Sequence, residues 1–101
     1  MKIVLSALVE ADIARQLEYG VSHFGHAVAA RTFARVETFL FEGLAAQPYA
    51  GKYIQELGIY ETWIVKTPFV IFYRVNAESE TVTVLALFHH AQDRAAFNPE
   101  D

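Results

Sequence analysis

"FYRVNAESETVTVLALFHHAQDR", Phe72 to Arg94, decides how this chain folds. Two runs rich in β-branched and aromatic residues flank the polar NAESE segment, which reads as two antiparallel strands joined by a short turn. Strand side chains alternate, so Phe69, Ile71, Tyr73 and Val75 point one way while Val70, Phe72 and Arg74 point the other. The same rule sets Leu85 and Leu87 against Val84, Ala86 and Phe88 in the second strand. Both faces of the hairpin are therefore apolar, a lone arginine interrupts one of them, and a tail of histidine, acid and base follows.

Outward from the hairpin, IYETWIVK (Ile59–Lys66) is a further strand and Thr67-Pro68 a turn, which makes a three-stranded antiparallel meander. Residues Gln47 to Gly58 turn to Pro, Gly, Lys, Gln and Glu, as in a loop. Nearer the N-terminus the period changes. Lys2–Leu5 is a short strand, Ser6 a helix cap, and Val9, Ile13, Leu17, Val21 and Phe24 recur at helical spacing. Gly25 ends that helix, and a second runs from about His26 to Ala46 on a stripe of Ala29, Phe33, Val36, Leu40 and Leu44, with Pro48 beyond it. Phe39 and Phe41 lie off the stripe, and either widen the buried face or reach the surface. The chain is expected to be one α+β domain over residues 1–101: strand, helical hairpin, then a three-stranded antiparallel meander.

A sheet covered by helices on one side normally alternates apolar and polar residues. The second apolar face here needs cover, because apolar surface gains about 25 cal/mol per Å² on leaving water. The loop 47–58, the C-terminal tail or a separate polypeptide can supply it, and a partner is the expectation.

Hydrophobic residues make up 53% and charged residues 20% of the chain, which argues against intrinsic disorder. The absence of cysteine excludes disulfides and cysteine-ligated zinc. Net charge is −4, which weighs against direct nucleic-acid binding, since that needs clustered Lys and Arg. Glu10, Asp12 and Arg15 break the apolar start that a signal peptide requires, and no segment approaches the ~20 apolar residues of a membrane span, so a cytoplasmic location is expected.

Arg74, set among aromatics, needs an acidic or other acceptor partner: Glu61, Asp93, or an anion brought by a ligand. His89 and His90 are adjacent on a strand and so are expected to face opposite sides, which prevents joint chelation of a metal. One of them can serve as an acid or base. Trp63 and Lys66, with Lys52 and Tyr53, form either a cation and aromatic platform or a solvated edge. No nucleophile elbow, phosphate loop or zinc-protease motif occurs, and no cofactor or metal is expected.

The ordered series ADI (Ala11–Ile13), EY (Glu18-Tyr19), FG (Phe24-Gly25), Arg31, QP (Gln47-Pro48), Gly51, EL (Glu56-Leu57), VIFYRV (Val70–Val75) and FHHAQDR (Phe88–Arg94) resembles the ParE branch of the ParE/RelE superfamily of toxin-antitoxin toxins. The resemblance covers nearly the whole chain, and its last two motifs are the most specific. It implies a small cytoplasmic toxin, bound in a hetero-oligomer by a cognate antitoxin that covers apolar surface. ParE-type members inhibit DNA gyrase by protein contact, whereas RelE-type members cut messenger RNA on the ribosome with a cluster of Lys and Arg on the middle strands. In this chain Glu61, Trp63, Val65 and Val70 fall where that cluster would lie, which favours the non-enzymatic gyrase activity. The alternatives are a RelE-type endoribonuclease using Arg74 and a histidine, and an inactive binding module. The residues expected to face the target or the antitoxin are Arg74, His89, His90, Asp93 and Arg94, with Trp63 as a further candidate.

Overall fold

Strand β1 (Lys2–Leu5) gives way at Ser6 to helix α1 (Ala7–Phe24). Ser6 is extended, and its Oγ accepts from the Val9 N–H at 3.1 Å, satisfying one of the amide donors that a helix start leaves unpaired. Gly25, at a φ of 89°, ends α1 and opens α2 (His26–Thr38) without an intervening loop. The structure, a computed structural model, describes residues 1–91, 97 and 99.

Helix α2 does not run on to Ala46 as a uniform α-helix; Phe39–Leu44 winds as a π-helix. The buried positions Val36, Leu40 and Leu44 are spaced by four, and in a helix of about 3.6 residues per turn each such step drifts about 40° around the axis. The wider π winding holds Leu40 and Leu44 on the core side, with Phe39 half-buried beside them and Phe41 turned outward at 49% exposure. On α1, Val9 is buried and Ile13 half-buried, but Leu17 and Phe24, expected on the buried stripe, are exposed.

The remaining strands are β2 (Lys52–Ile54), β3 (Ile59–Trp63), β4 (Phe69–Asn76) and β5 (Thr81–His89). They form with β1 a five-stranded sheet of order β1-β5-β4-β3-β2. The expected meander β3-β4-β5 is present, and Asn76 Oδ1 accepts from the Ser79 N–H at 3.1 Å in the turn between β4 and β5. Two features depart from the sequence reading. Residues 52–54, expected in a loop, pair antiparallel with β3, and three residues are too few to show an alternation. Strand β1 lies parallel to β5, Lys2 opposite Thr81 through Leu5 opposite Val84, so the sheet is mixed and the helices form the crossover.

The alternation in β5 is also interrupted. Phe72 pairs with Ala86 but Tyr73 pairs with Val84, so Leu85 is the extra residue of a β-bulge. Before the bulge Val82 and Val84 face the helices; after it Leu87 does. The expected grouping of Leu85 with Leu87 against Val84 is therefore corrected: Leu85 packs with Ala86 and Phe88 on the outer face. The slip that would have set half of β5 the wrong way is absorbed at one residue.

Helix α1 clamps this bulge. The Ser6 N–H donates to the Val84 carbonyl at 3.0 Å, Ser6 Oγ donates to the Leu85 carbonyl at 3.1 Å, and the Leu87 N–H donates to Asp12 Oδ2 at 3.1 Å. Asp12 is buried, and its other oxygen pairs with Arg15 one turn along the helix. A carboxylate is thus taken from water because it meets a backbone donor that the bulge turns toward α1.

On the helix side, Val9, Phe33, Val36, Leu40 and Leu44 pack on Ile64, Phe69, Ile71, Tyr73, Val82, Val84 and Leu87. On the outer side, Ile59, Phe72 and Ala86 form a second buried cluster with Ile54, Leu85 and Phe88, and Phe97 from the C-terminal tail lies over it. The Phe97 ring stacks on Phe72 at 4.7 Å and 4°, and meets Phe88 edge-on at 5.8 Å. Cover for the centre of the second face therefore comes from the chain's own tail rather than wholly from a partner. The rim of that face stays open at Val4 and Trp63.

Replacing Asp12 by Ala leaves the Leu87 N–H buried without an acceptor and is expected to cost about 1–3 kcal/mol in urea unfolding. Asp12→Asn keeps an acceptor for Leu87 and loses only the ion pair with exposed Arg15, so its expected cost is below about 1 kcal/mol.

Candidate interaction site

The residues expected to face a target fall in two places. Strand β5 ends at His89, opposite Phe69 at the start of β4. The His89 ring meets Phe69 edge-on at 6.1 Å and stacks on His90 at 4.6 Å and 27°. His90 lies past the strand, its N–H bonded to the Pro68 carbonyl at 2.8 Å, so the pleat no longer dictates its side. The expectation that the two histidines face apart is corrected for this reason. His90 also approaches Trp63 at 5.9 Å. Trp63, His89 and His90 thus form one aromatic group at one end of the sheet.

His89 Nδ1 accepts from the Ala91 N–H at 3.1 Å, which leaves Nε2 to carry the proton in the neutral ring. Among the described residues, no group of three or more His, Cys, Asp or Glu side chains is arranged to hold a metal ion.

Arg74 is elsewhere. It is half-buried on the outer face of β4, opposite Thr83, with Glu61, one of its expected acidic partners, on the same face opposite Phe72. It lies five positions along the strand from Phe69, which sits against His89, so at about 3.3 Å per residue the guanidinium's anchor is about 17 Å from the histidine pair. Asp93 and Arg94 lie outside the described residues.

The sequence did not single out the groove that His89 shares with the helical hairpin. A cleft of about 370 Å³ runs between the ends of the helices and the start of β4, lined by Tyr19, Phe24, Val28, Phe33, Phe69 and His89 among others. Phe24, 64% exposed, and Tyr19, exposed and stacked on His23 at 3.9 Å, form its lip. The aromatic beside the helix-ending Gly25 was the available signal; helical periodicity alone assigned it to the core.

One titratable group on the helix-facing side of β4 is perturbed. Tyr73 is 0% exposed, stacked on Tyr60 at 5.3 Å, and its hydroxyl accepts from the Gly51 N–H at 3.0 Å. Burial pushes its phenol above the ordinary tyrosine value, the Gly51 bond opposes this, and the nearby Tyr60 adds to the rise. Gly51 is required at this approach, because a Cβ there would lie 2.6 Å from the Tyr73 hydroxyl.

The sequence matches, over residues 3–94, the family described as the ParE toxin of the type II toxin-antitoxin system parDE. The chain belongs to the ParE toxin family. It is a toxin of a type II toxin-antitoxin system, and its architecture agrees. The fold is similar to that in the crystal structure of the toxin-antitoxin complex RelBE2 from Mycobacterium tuberculosis, with a TM-score of 0.64 and 19% identity over 90% of this chain and 92% of that one. It is also similar to a structure of the chromosomal ParDE system from P. aeruginosa, with a TM-score of 0.67 and 17% identity over 88% and 95% of the two chains. No curated protein is significantly similar in sequence. Among the described residues, no helix of the toxin is long and apolar enough to cross a membrane.

The raised Tyr73 value sets an alkaline limit. The folded toxin holds this proton more tightly than the unfolded chain, so the contribution is fully present below about pH 10, the unfolded value, and is lost as pH rises through the folded one. Urea unfolding from pH 8 to 11 should show stability falling above pH 10. In Tyr73→Phe that fall should be shallower, at a cost near neutrality of about 0.5–1.5 kcal/mol for the lost Gly51 bond.

Proposed function

We propose that the toxin, acting as one cytoplasmic domain, inhibits DNA gyrase by protein contact and is neutralised by a cognate antitoxin in a hetero-oligomer. The observation that carries this is the separation of Arg74 from the histidines. Strands β3, β4 and β5 contain one Lys or Arg, namely Arg74. Cutting RNA requires the acid or base and the cation to converge on one phosphate within hydrogen-bond reach. A distance of about 17 Å between their strand positions does not allow that. It does suit two contact points on an extended protein surface, with Arg74 meeting an acidic group and Trp63, His89 and His90 forming a second contact; Asp93 and Arg94 are proposed to extend it.

An antitoxin partner is supported by the two similar structures, both of toxin-antitoxin systems. The apolar lip of Tyr19, Phe24 and Val28 gives such a partner surface to bury.

Purified toxin is expected to block supercoiling of relaxed plasmid by gyrase, and Arg74→Ala to need at least about tenfold more protein for the same effect, equivalent to ~1.4 kcal/mol. Unchanged supercoiling together with prompt cleavage of ribosome-bound message would replace this reading with the nuclease one.

A further inference from the structure

The outer sheet face carries a slot that is occupied in a telling way. Ala86 stands opposite Phe72, and a methyl group there leaves a depression between the rings of Phe72 and Phe88. Ile59 extends the apolar floor. Phe97 fills the depression, parallel to Phe72 at 4.7 Å and edge-on to Phe88 at 5.8 Å, and brings Phe72 to 3% exposure. The slot therefore accepts a planar aromatic side chain from a segment that is not part of the sheet.

Arg74 lies two residues beyond Phe72 on the same face, about 7 Å along the strand. A guanidinium at that distance from an aromatic slot favours a segment with a carboxylate a few residues from its ring. The sequence of the toxin's own tail has this form: Phe97 is followed by Asn98, Pro99, Glu100 and Asp101.

We infer that the slot between Phe72 and Phe88, with Arg74 beside it, is a docking site for a partner segment bearing an aromatic residue followed within about four positions by carboxylates, and that Phe97 holds it as an intramolecular competitor. The inference deepens the protein-contact function proposed above and rests on it for the identity of the surface. A tethered competitor acts at an effective concentration in the millimolar range, so it suppresses ligands of micromolar affinity without preventing tighter ones from entering. The tail in this role sets a threshold, admitting only a partner that binds better than Phe97 does.

The probe is a fluorescent peptide of residues 95–101, AAFNPED, titrated by polarisation against the full-length toxin. Phe97→Ala is expected to bind it at least tenfold more tightly than the wild-type protein, with Phe97→Leu, which keeps an apolar plug, between them. The same peptide with alanine in place of its phenylalanine should not bind. In the Phe97→Ala background, Arg74→Gln should weaken binding several-fold and remove most of its salt dependence. Equal affinities for wild type, Phe97→Leu and Phe97→Ala, or no binding by variants with native melting curves, would overturn the slot. An Arg74→Gln change without effect would overturn the carboxylate requirement. The Leu variant keeps the test valid where the Ala variant does not fold. The assay contains neither gyrase nor antitoxin, so its failure is separable from a negative supercoiling result.

Discussion

The bond from the Leu87 amide to the Asp12 carboxylate fixes how the helices and the sheet of this toxin meet. Strand β5 must place Val82 and Val84 under the helices at one end and Leu87 at the other, and an unbroken alternation cannot do so. The bulge at Leu85 resolves the phase but disturbs the ladder. Ser6 and Asp12, six residues apart at the start of α1, bond to the backbone on either side of that break. A buried acid is a costly fastener, and here it has two partners, the Leu87 amide and Arg15.

Much of the fold was legible because its signals are local. Ser6, Gly25 and the β4–β5 turn each announce themselves by residue type, and Phe69 to Val75 alternates cleanly. What was not legible depends on partners distant in sequence. Strand β2 has three residues and gains its identity only from pairing with β3. The parallel pairing of β1 with β5 leaves no mark on Lys2–Leu5. The bulge was hidden because Leu85 and Ala86 are both apolar, so either phase of the strand reads as reasonable. Leu17 and Phe24 follow a helical stripe, yet both stay exposed in the folded chain.

The interaction site divides in the same way. Trp63, His89 and His90 were each visible as unusual residues, and the structure joins them because β3 and β5 end where β4 begins. Arg74 was grouped with them by motif order, but position along a strand separates them. The groove beside Phe24 was missed because periodicity assigns an aromatic in a helix to the core. Phe97 was missed because it stands alone in a polar tail, and its meaning comes from the small side chain of Ala86 facing Phe72.

The parallel pairing of β1 with β5 has a consequence for biosynthesis. Lys2 pairs with Thr81, so the first strand made must wait for β5, the last of the described strands, before its hydrogen bonds can form. Until β5 leaves the ribosome, Asp12 has no amide to grip, and the helical hairpin can rest only on the β3–β4 part of the sheet. A chain released before that point lacks the strand that joins β1 to the rest of the sheet.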